Sequence, residues 1–305
     1  MGWIIKALAA LVSLALIALA VYLIPPHVQV RGVEPTLPSA DDLRALNDVP
    51  GGPIAIRYLV NATQPALGRN LSHTSIIVEW VDGNLFVIDA GMDEAQATEF
   101  ADLIKTIGGG GEATFVGTIA DQLGDELPRV AGVGFTHLHI DHTQGLTTLC
   151  EARGPGAKLL QTDWQRDLHN FNTTEGAGIV AHSCLEPSPL SPSPLSGGTI
   201  LTNDAFPGLG LIGLGGHTPG STLFAVPVKG HIWLFSGDTT NSMLNLQNNT
   251  GKGFIYSNLF VPENTDRTEA LRLWLRELKD EADMDVVVSH DLEALIATGM
   301  EPQRK

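Results

Sequence analysis

Residues 137–142 read His-Leu-His-Ile-Asp-His, three imidazoles and a carboxylate within six positions. The motif follows Ala131-Gly-Val-Gly-Phe-Thr136, a short apolar run that reads as a buried strand. Side chains alternate faces along a strand, so His137 and His139 point the same way at its end, with Asp141 and His142 on the turn that follows. This is enough to grip two metal ions, and imidazole and carboxylate donors suit Zn²⁺, with Mn²⁺ or Fe²⁺ as alternatives. Such a site needs further donors, so the chain must bring other strand ends to the same place.

Three segments supply them. Gly215-Gly-His217-Thr-Pro-Gly-Ser221 puts a His in a tight turn after the apolar run Leu209–Leu214. Trp233-Leu-Phe-Ser-Gly-Asp238 and Asp285-Val-Val-Val-Ser-His290 each end an apolar strand on a candidate ligand. Loops at strand ends, held by a rigid scaffold, are where catalytic groups collect. The remaining histidines, His27, His73, His169, His182 and His231, are assigned structural roles. His73, at the end of the polar stretch Gly68–His73, is the one of these that could also line the mouth of the site.

The order His-x-His-x-Asp-His, then His217, Asp238 and His290, resembles the metallo-β-lactamase-fold hydrolases, and the likeness covers nearly all of residues 54–295. Thr74–Trp80, Asp82-Gly83 and Leu85–Asp89 read as a hairpin with a tight turn, and its end, Asp89-Ala-Gly91, matches an early family motif whose Asp is structural. The resemblance implies an α/β fold, a four-layer αβ/βα sandwich with the metals at one edge. It implies that one ion takes His137, His139 and His217, the other Asp141, His142 and His290, and that Asp238 bridges them. The bridging Asp238 separates this chain from the true β-lactamases. N-acyl homoserine lactonases match the ligand set but carry a Tyr three residues after the bridging Asp, where this chain has Asn241; Tyr256 lies further on.

The expected chemistry is hydrolysis. Two ions sharing one water lower its pKa to about 7 and supply hydroxide at neutral pH, with Asp141 and Asp238 as the catalytic carboxylates. No Gly-x-Ser-x-Gly elbow or phosphate-cradling loop is present. With 34 acidic and 18 basic residues the net charge is −16, and no Lys/Arg run offers nucleic acid a basic face. The expected substrate is therefore a small molecule with a labile acyl bond, a lactone, ester or thioester. A small phosphodiester is the alternative, and a non-catalytic metal-binding protein a more distant one. Composition leaves the oligomeric state open.

Residues 1–25 form a membrane anchor or a signal segment. Ala7–Ile24 is 18 uncharged, mostly apolar residues, about 27 Å as a helix, close to a bilayer's hydrocarbon thickness. Lys6 lies before it and Pro25-Pro26 is expected to stop it. The positive flank places the N-terminus in the cytoplasm and the catalytic domain outside it. The alternative is a secreted protein, cleaved at Ala18-Leu-Ala20. Cys150 and Cys184 can pair in an oxidising compartment or remain separate thiols. Residues 26–53, Pro-rich and polar, read as a linker with a helical turn near Asp41–Leu46, and 54–305 as the hydrolase domain. Amphipathic helices are expected over Asp93–Ile107 and Asp266–Glu281, the second with a capping box of Asp266 and Glu269. The Pro/Ser segment Glu186–Gly198 reads as a surface loop or a lid, and Asn61–His73 as a second wall of the site.

Overall fold

The computed structural model describes residues 2–66 and 68–303, the side chain of Ile107 excepted. Fourteen strands are found among the described residues. In chain order they are β1 (Ala55–Ala66), β2 (Arg69–Glu79), β3 (Leu85–Ile88), β4 (Thr114–Phe115), β5 (Val130–Gly134), β6 (Lys158–Leu160), β7 (Glu186–Pro187), β8 (Ser191–Pro192), β9 (Leu201–Thr202), β10 (Gly210–Gly213), β11 (Thr222–Val228), β12 (His231–Phe235), β13 (Met284–Val287) and β14 (Glu301–Pro302). One sheet runs β14-β1-β2-β3-β5-β6-β7, with β4 beside β1; the other runs β13-β12-β11-β10-β9-β8.

Period-2 alternation assembles the layers. In β3, Phe86 and Ile88 face the second sheet while Val87 faces helices; in β11, Phe224 and Val226 face the first sheet while Leu223 and Ala225 face helices. Both faces of each sheet are therefore covered, and strands covered on both faces read as continuous apolar runs rather than alternating ones. The central layer is a shared core in which Phe86 meets Phe206 and Phe224. Gly132 and Gly134 permit that approach: a Cβ at Gly132 would fall 2.3 Å from the Phe206 ring, and one at Gly134 2.7 Å from Phe224. Outside the sheets lie Ile119–Leu123 and Leu146–Arg153 on one side and Thr265–Lys279 on the other. The result is the expected four-layer αβ/βα sandwich.

Several expectations change. The N-terminal helix spans Gly2–Arg31 and runs through Pro25 and Pro26, which were expected to stop it. Each proline costs the helix one N–H bond, but packing on both sides of the pair holds it: Tyr22 stacks on Phe171 before the prolines, and beyond them Gln29 Nε2 donates to the His169 carbonyl and Val30 is buried. Residues 33–48, which read as linker, are packed. Val33, Leu43 and Leu46 are buried, the latter two against the second sheet, and Ser39 and Asp42 form a capping box on Ala40–Arg44. The last long helix, Thr265–Lys279, is capped by Asn264, whose side chain accepts from Arg267 N, rather than by Asp266 with Glu269. The Asp93-capped helix is Glu94–Gly108. The Pro/Ser segment is neither a lid nor unstructured: β7 pairs with β6 in one sheet and β8 with β9 in the other, so it carries the chain between sheets. Prolines fit there because both are edge strands. Cys150 and Cys184 form a disulfide, Cα–Cα 5.5 Å.

The buried position of Leu43 predicts that Leu43→Ala lowers stability by about 2–5 kcal/mol, read as a shift in the urea midpoint of the detergent-solubilised chain. A true linker residue would leave the midpoint in place.

Candidate metal centre

The seven expected residues converge where strands of both sheets run out. His137, His139, Asp141 and His142 follow β5; His217 follows β10, Asp238 follows β12 and His290 follows β13. All are buried except the partly exposed His139. One ligand atom from each of His137, His139 and His217 lies within a 4.8 Å group, and likewise from His137, His142 and Asp238, and from His73, Asp141 and His290. Asp238 faces both ways. Its Oδ2 lies 3.7 Å from His217 Nε2, and its Oδ1 lies 3.6 Å from His142 Nε2 and 3.0 Å from His290 Nε2. Asp141 Oδ2 lies 3.5 Å from both His142 Nε2 and His290 Nε2.

The outer nitrogens fix the tautomers. His290 Nδ1 lies 2.8 Å from the Ser72 carbonyl, which can only accept, so that nitrogen is the donor. His142 Nδ1 lies 2.9 Å from Asp89 Oδ2, and His217 Nδ1 2.6 Å from Glu263 Oε1. Each carboxylate holds a proton on Nδ1 and turns Nε2 toward the cluster. Nε2 of His137, His139, His142 and His217 are all buried without a hydrogen-bond partner among the described residues. Asp238 Oδ1 makes no hydrogen bond either, although His290 Nε2 is 3.0 Å away.

Electrostatics agree. Burial, with His217 nearby, pushes His139 down to about 3, and burial, reinforced by His142, holds His137 well below its ordinary value. Burial, with Lys252 beside it, lowers His217 as well. These rings are neutral donors at neutral pH. Burial opposes a proton on His142, but Asp141 and Asp89 overcome it and raise that group to about 10. A field this negative calls for positive charge. Two ligands bound tetrahedrally to one Zn²⁺ at about 2.1 Å stand about 3.4 Å apart, close to the separations around Asp141 and Asp238. The donor set therefore fits divalent metal ions.

Asp89 sits where the early motif was expected to place a structural carboxylate. It accepts from Thr136 N and Thr136 Oγ1 at 2.7 and 2.8 Å while orienting His142. Its backbone is left-handed, φ 60°, as is that of His290, φ 64°; such strain is kept only where surrounding contacts over-determine it. His73, assigned a mainly structural role, is buried inside the cluster with Nδ1 3.3 Å from Asp141 Oδ2. Its ring packs edge-on against His290. His27, His169, His182 and His231 bind ordinary backbone or carboxylate partners and do not join the cluster.

Two members are illegible in the sequence. Glu263 holds His217 and is itself held by Ser257 Oγ at 2.5 Å; burial works against its charge, but Lys252 keeps its pKa at about 2. Lys252 has a side chain only 6 % exposed, with Nζ 3.1 Å from His217 Nδ1, 3.3 Å from Glu263 and 3.7 Å from Asp238. It lies over the Tyr256 ring at 5.2 Å. No spacing announces either: Lys252 stands between two glycines, and Glu263 looks like an ordinary acid ahead of a helix.

The family model described as Metallo-beta-lactamase superfamily matches residues 68–290. No curated protein matches the chain. Among solved structures, the chain is similar to an N-acyl homoserine lactone hydrolase with the product N-hexanoyl-L-homoserine bound at its catalytic metal center (14 % identity, 81 % of this chain, 96 % of that one, TM-score 0.57). It is similar to a probable metal-dependent hydrolase from Staphylococcus aureus (18 % identity, 79 % and 90 % coverage, TM-score 0.53). It is also similar to AidC, a dizinc quorum-quenching lactonase (15 % identity, 73 % and 74 % coverage, TM-score 0.50). At these identities the likeness is one of fold.

Removing the carboxylate that orients His217 tests the assembly. Glu263→Ala is expected to weaken Zn²⁺ binding by about 10–100-fold in a chelator competition, with the far-ultraviolet circular dichroism unchanged.

Proposed function

The chain belongs to the metallo-β-lactamase superfamily, and on that premise we propose that it is a binuclear metallohydrolase that cleaves the acyl bond of a small lactone, ester or thioester. The observation that carries the proposal is the convergence of buried Nε2 atoms without hydrogen-bond partners on two buried carboxylates. His137, His139 and His217 would hold one ion and Asp141, His142 and His290 the other, with Asp238 reaching both. When bound, the ions supply Lewis acidity and an activated water.

The chain's own groups do the rest. Asp89, Glu263 and the Ser72 carbonyl hold three imidazoles in the tautomer that presents Nε2 inward. Asp141 stands at the junction of His73, His142 and His290, placed to accept a proton from water and aim it. Lys252 offers a fixed positive charge on the opposite flank, next to His217 and Asp238, where negative charge on a reacting carbonyl oxygen would be stabilised. Lactone-hydrolysing structures among the fold relatives support an acyl substrate, and a net charge of −16 disfavours polyanions.

The helix Gly2–Arg31 is apolar enough to cross a membrane and buries none of its apolar window. We read it as an uncleaved anchor with Lys6 on the cytoplasmic side, which puts the catalytic domain outside the cytoplasm. The Cys150–Cys184 disulfide supports an oxidising compartment.

Two measurements test this. His137→Ala and Asp238→Ala should each abolish hydrolysis and lower bound metal, read by elemental analysis beside an assay panel of lactones, p-nitrophenyl esters and bis-p-nitrophenyl phosphate. Turnover of the phosphodiester alone would replace the acyl reading, and a wild-type protein without stoichiometric metal would end both. Mass spectrometry of the mature chain should find residues 1–20 retained; a start at Val21 would mean a secreted enzyme.

A further inference from the structure

Residues 254–262 read Phe-Ile-Tyr-Ser-Asn-Leu-Phe-Val-Pro, nine uncharged residues in a chain with 52 charged ones, the 18 basic and 34 acidic together. The segment has two faces. Inward, Tyr256 lies under Lys252, and Ser257 holds Glu263, so this face is the flank of the metal centre. Outward, Phe254, Ile255, Leu259 and Phe260 are exposed, the first two by 77 % and 61 %. Tyr256–Phe260 is a π-helical turn, a form concentrated at functional sites. Four large apolar side chains crowded outward over so short a segment mark an interaction surface rather than ordinary scatter.

The N-terminal helix says what covers it. Trp3 and Tyr22 stand near the two ends of its apolar stretch, 19 residues apart and about 28 Å along the axis, close to a bilayer's hydrocarbon thickness. Tyr22, two residues before the apolar run ends at Ile24, therefore lies near where the helix leaves the hydrocarbon. That ring stacks on Phe171 of the catalytic domain, with centroids 4.5 Å apart. Five residues on, about 7.5 Å further along the axis, His27 Nε2 lies 3.1 Å from the carbonyl of Asn258, within the apolar segment itself. Asn172, next to Phe171, donates to the carbonyl of Phe260. The exposed face of 254–260 thus lies beside the helix at the level where it emerges.

From this juxtaposition we infer that Phe254, Ile255, Leu259 and Phe260 form a second membrane contact, seated in the bilayer interface next to the anchor, and that the metal centre acts on an amphiphile carried in that bilayer. The labile acyl bond of such a substrate lies at its polar end, and its chain stays among the lipids. Attraction here is apolar, since the segment has no basic residue for anionic headgroups, so it persists in salt. The inference rests on the anchor and acyl-hydrolase readings above.

The test uses the full chain in phosphatidylcholine nanodiscs, with a nitroxide label placed singly by Leu14→Cys, Phe254→Cys or Val81→Cys; the native cysteines are paired. Accessibility to oxygen and to a water-soluble nickel chelate reports depth. The expected result is lipid at 14 and 254 and water at 81, an exposed apolar position elsewhere on the domain. Lipid at 14 with water at 254 overturns the inference and leaves the anchor standing. Water at 14 overturns both. Spin–spin broadening between labels at 254 reports a second copy on this face and also overturns it. The substrate arm compares dodecanoyl and acetyl p-nitrophenyl esters in the same discs. Phe254→Ser with Ile255→Ser should cut the long-to-short ratio of kcat/KM by about tenfold. An unchanged ratio overturns the amphiphile assignment, whereas a wild type that turns over neither ester means that the acyl reading has failed, with the depth measurements unaffected.

Discussion

The molecule is organised around an unmet demand for positive charge. Asp141 and Asp238 are buried among imidazoles whose outer nitrogens are already committed as donors, and Asp89 and Glu263 add two more carboxylates behind them. Within this cluster Lys252 Nζ faces Asp238 and Glu263. Buried carboxylates are tolerated only when paired or bound to metal, so the cluster is poised for divalent ions. Everything around it serves to hold lone pairs toward one point.

That requirement explains the fold's arrangement near the site. Donors come from the ends of β5, β10, β12 and β13, so neither sheet alone can build the centre. The shared aromatic core of Phe86, Phe206 and Phe224 sets the spacing between the sheets and with it the spacing between donors. Glycines at 132 and 134 are part of the site in this indirect sense, because side chains there would push the sheets apart. The left-handed backbones at Asp89 and His290 are the local cost of aiming two strand ends at a common point.

The N-terminal helix is joined to this centre more closely than an appendage would be. Its last turns stack on Phe171 and meet Asn258, and the segment containing Asn258 also contains the residues that support Lys252 and Glu263. Residues 33–48 continue the connection into the second sheet's outer layer. The N-terminal helix and the two-sheet domain therefore share packing, and the short path between them passes along one wall of the His/Asp cluster.

Much was written in local patterns. The His-x-His-x-Asp-His cluster, the three strand-end partners, the Asp82-Gly83 hairpin and the membrane-length helix are all short-range signals, legible because ligand spacing and hydrophobic periodicity depend only on near neighbours. The resemblance they support extended to the four-layer fold. Lys252 and Glu263 were not legible as members of the site, and His73 was legible only as a residue that could line its mouth, because each acquires its role from residues far along the chain: His73 from Asp141, and Glu263 from His217. The packed state of 33–48 escaped for the same reason, since prolines and polar residues describe a linker until a distant sheet covers the few apolar ones between them. The cap at Asn264 is a local bond from Arg267 N that displaced an equally local alternative, whereas the edge-strand role of the Pro/Ser segment was decided by pairing with β6 in one sheet and β9 in the other. The sequence by itself determined which atoms could bind metal. Only the tertiary structure decided which donor atoms face one another, what charge stands beside them, and which apolar face is left uncovered beside the N-terminal helix, because those are properties of distances between segments that composition does not encode.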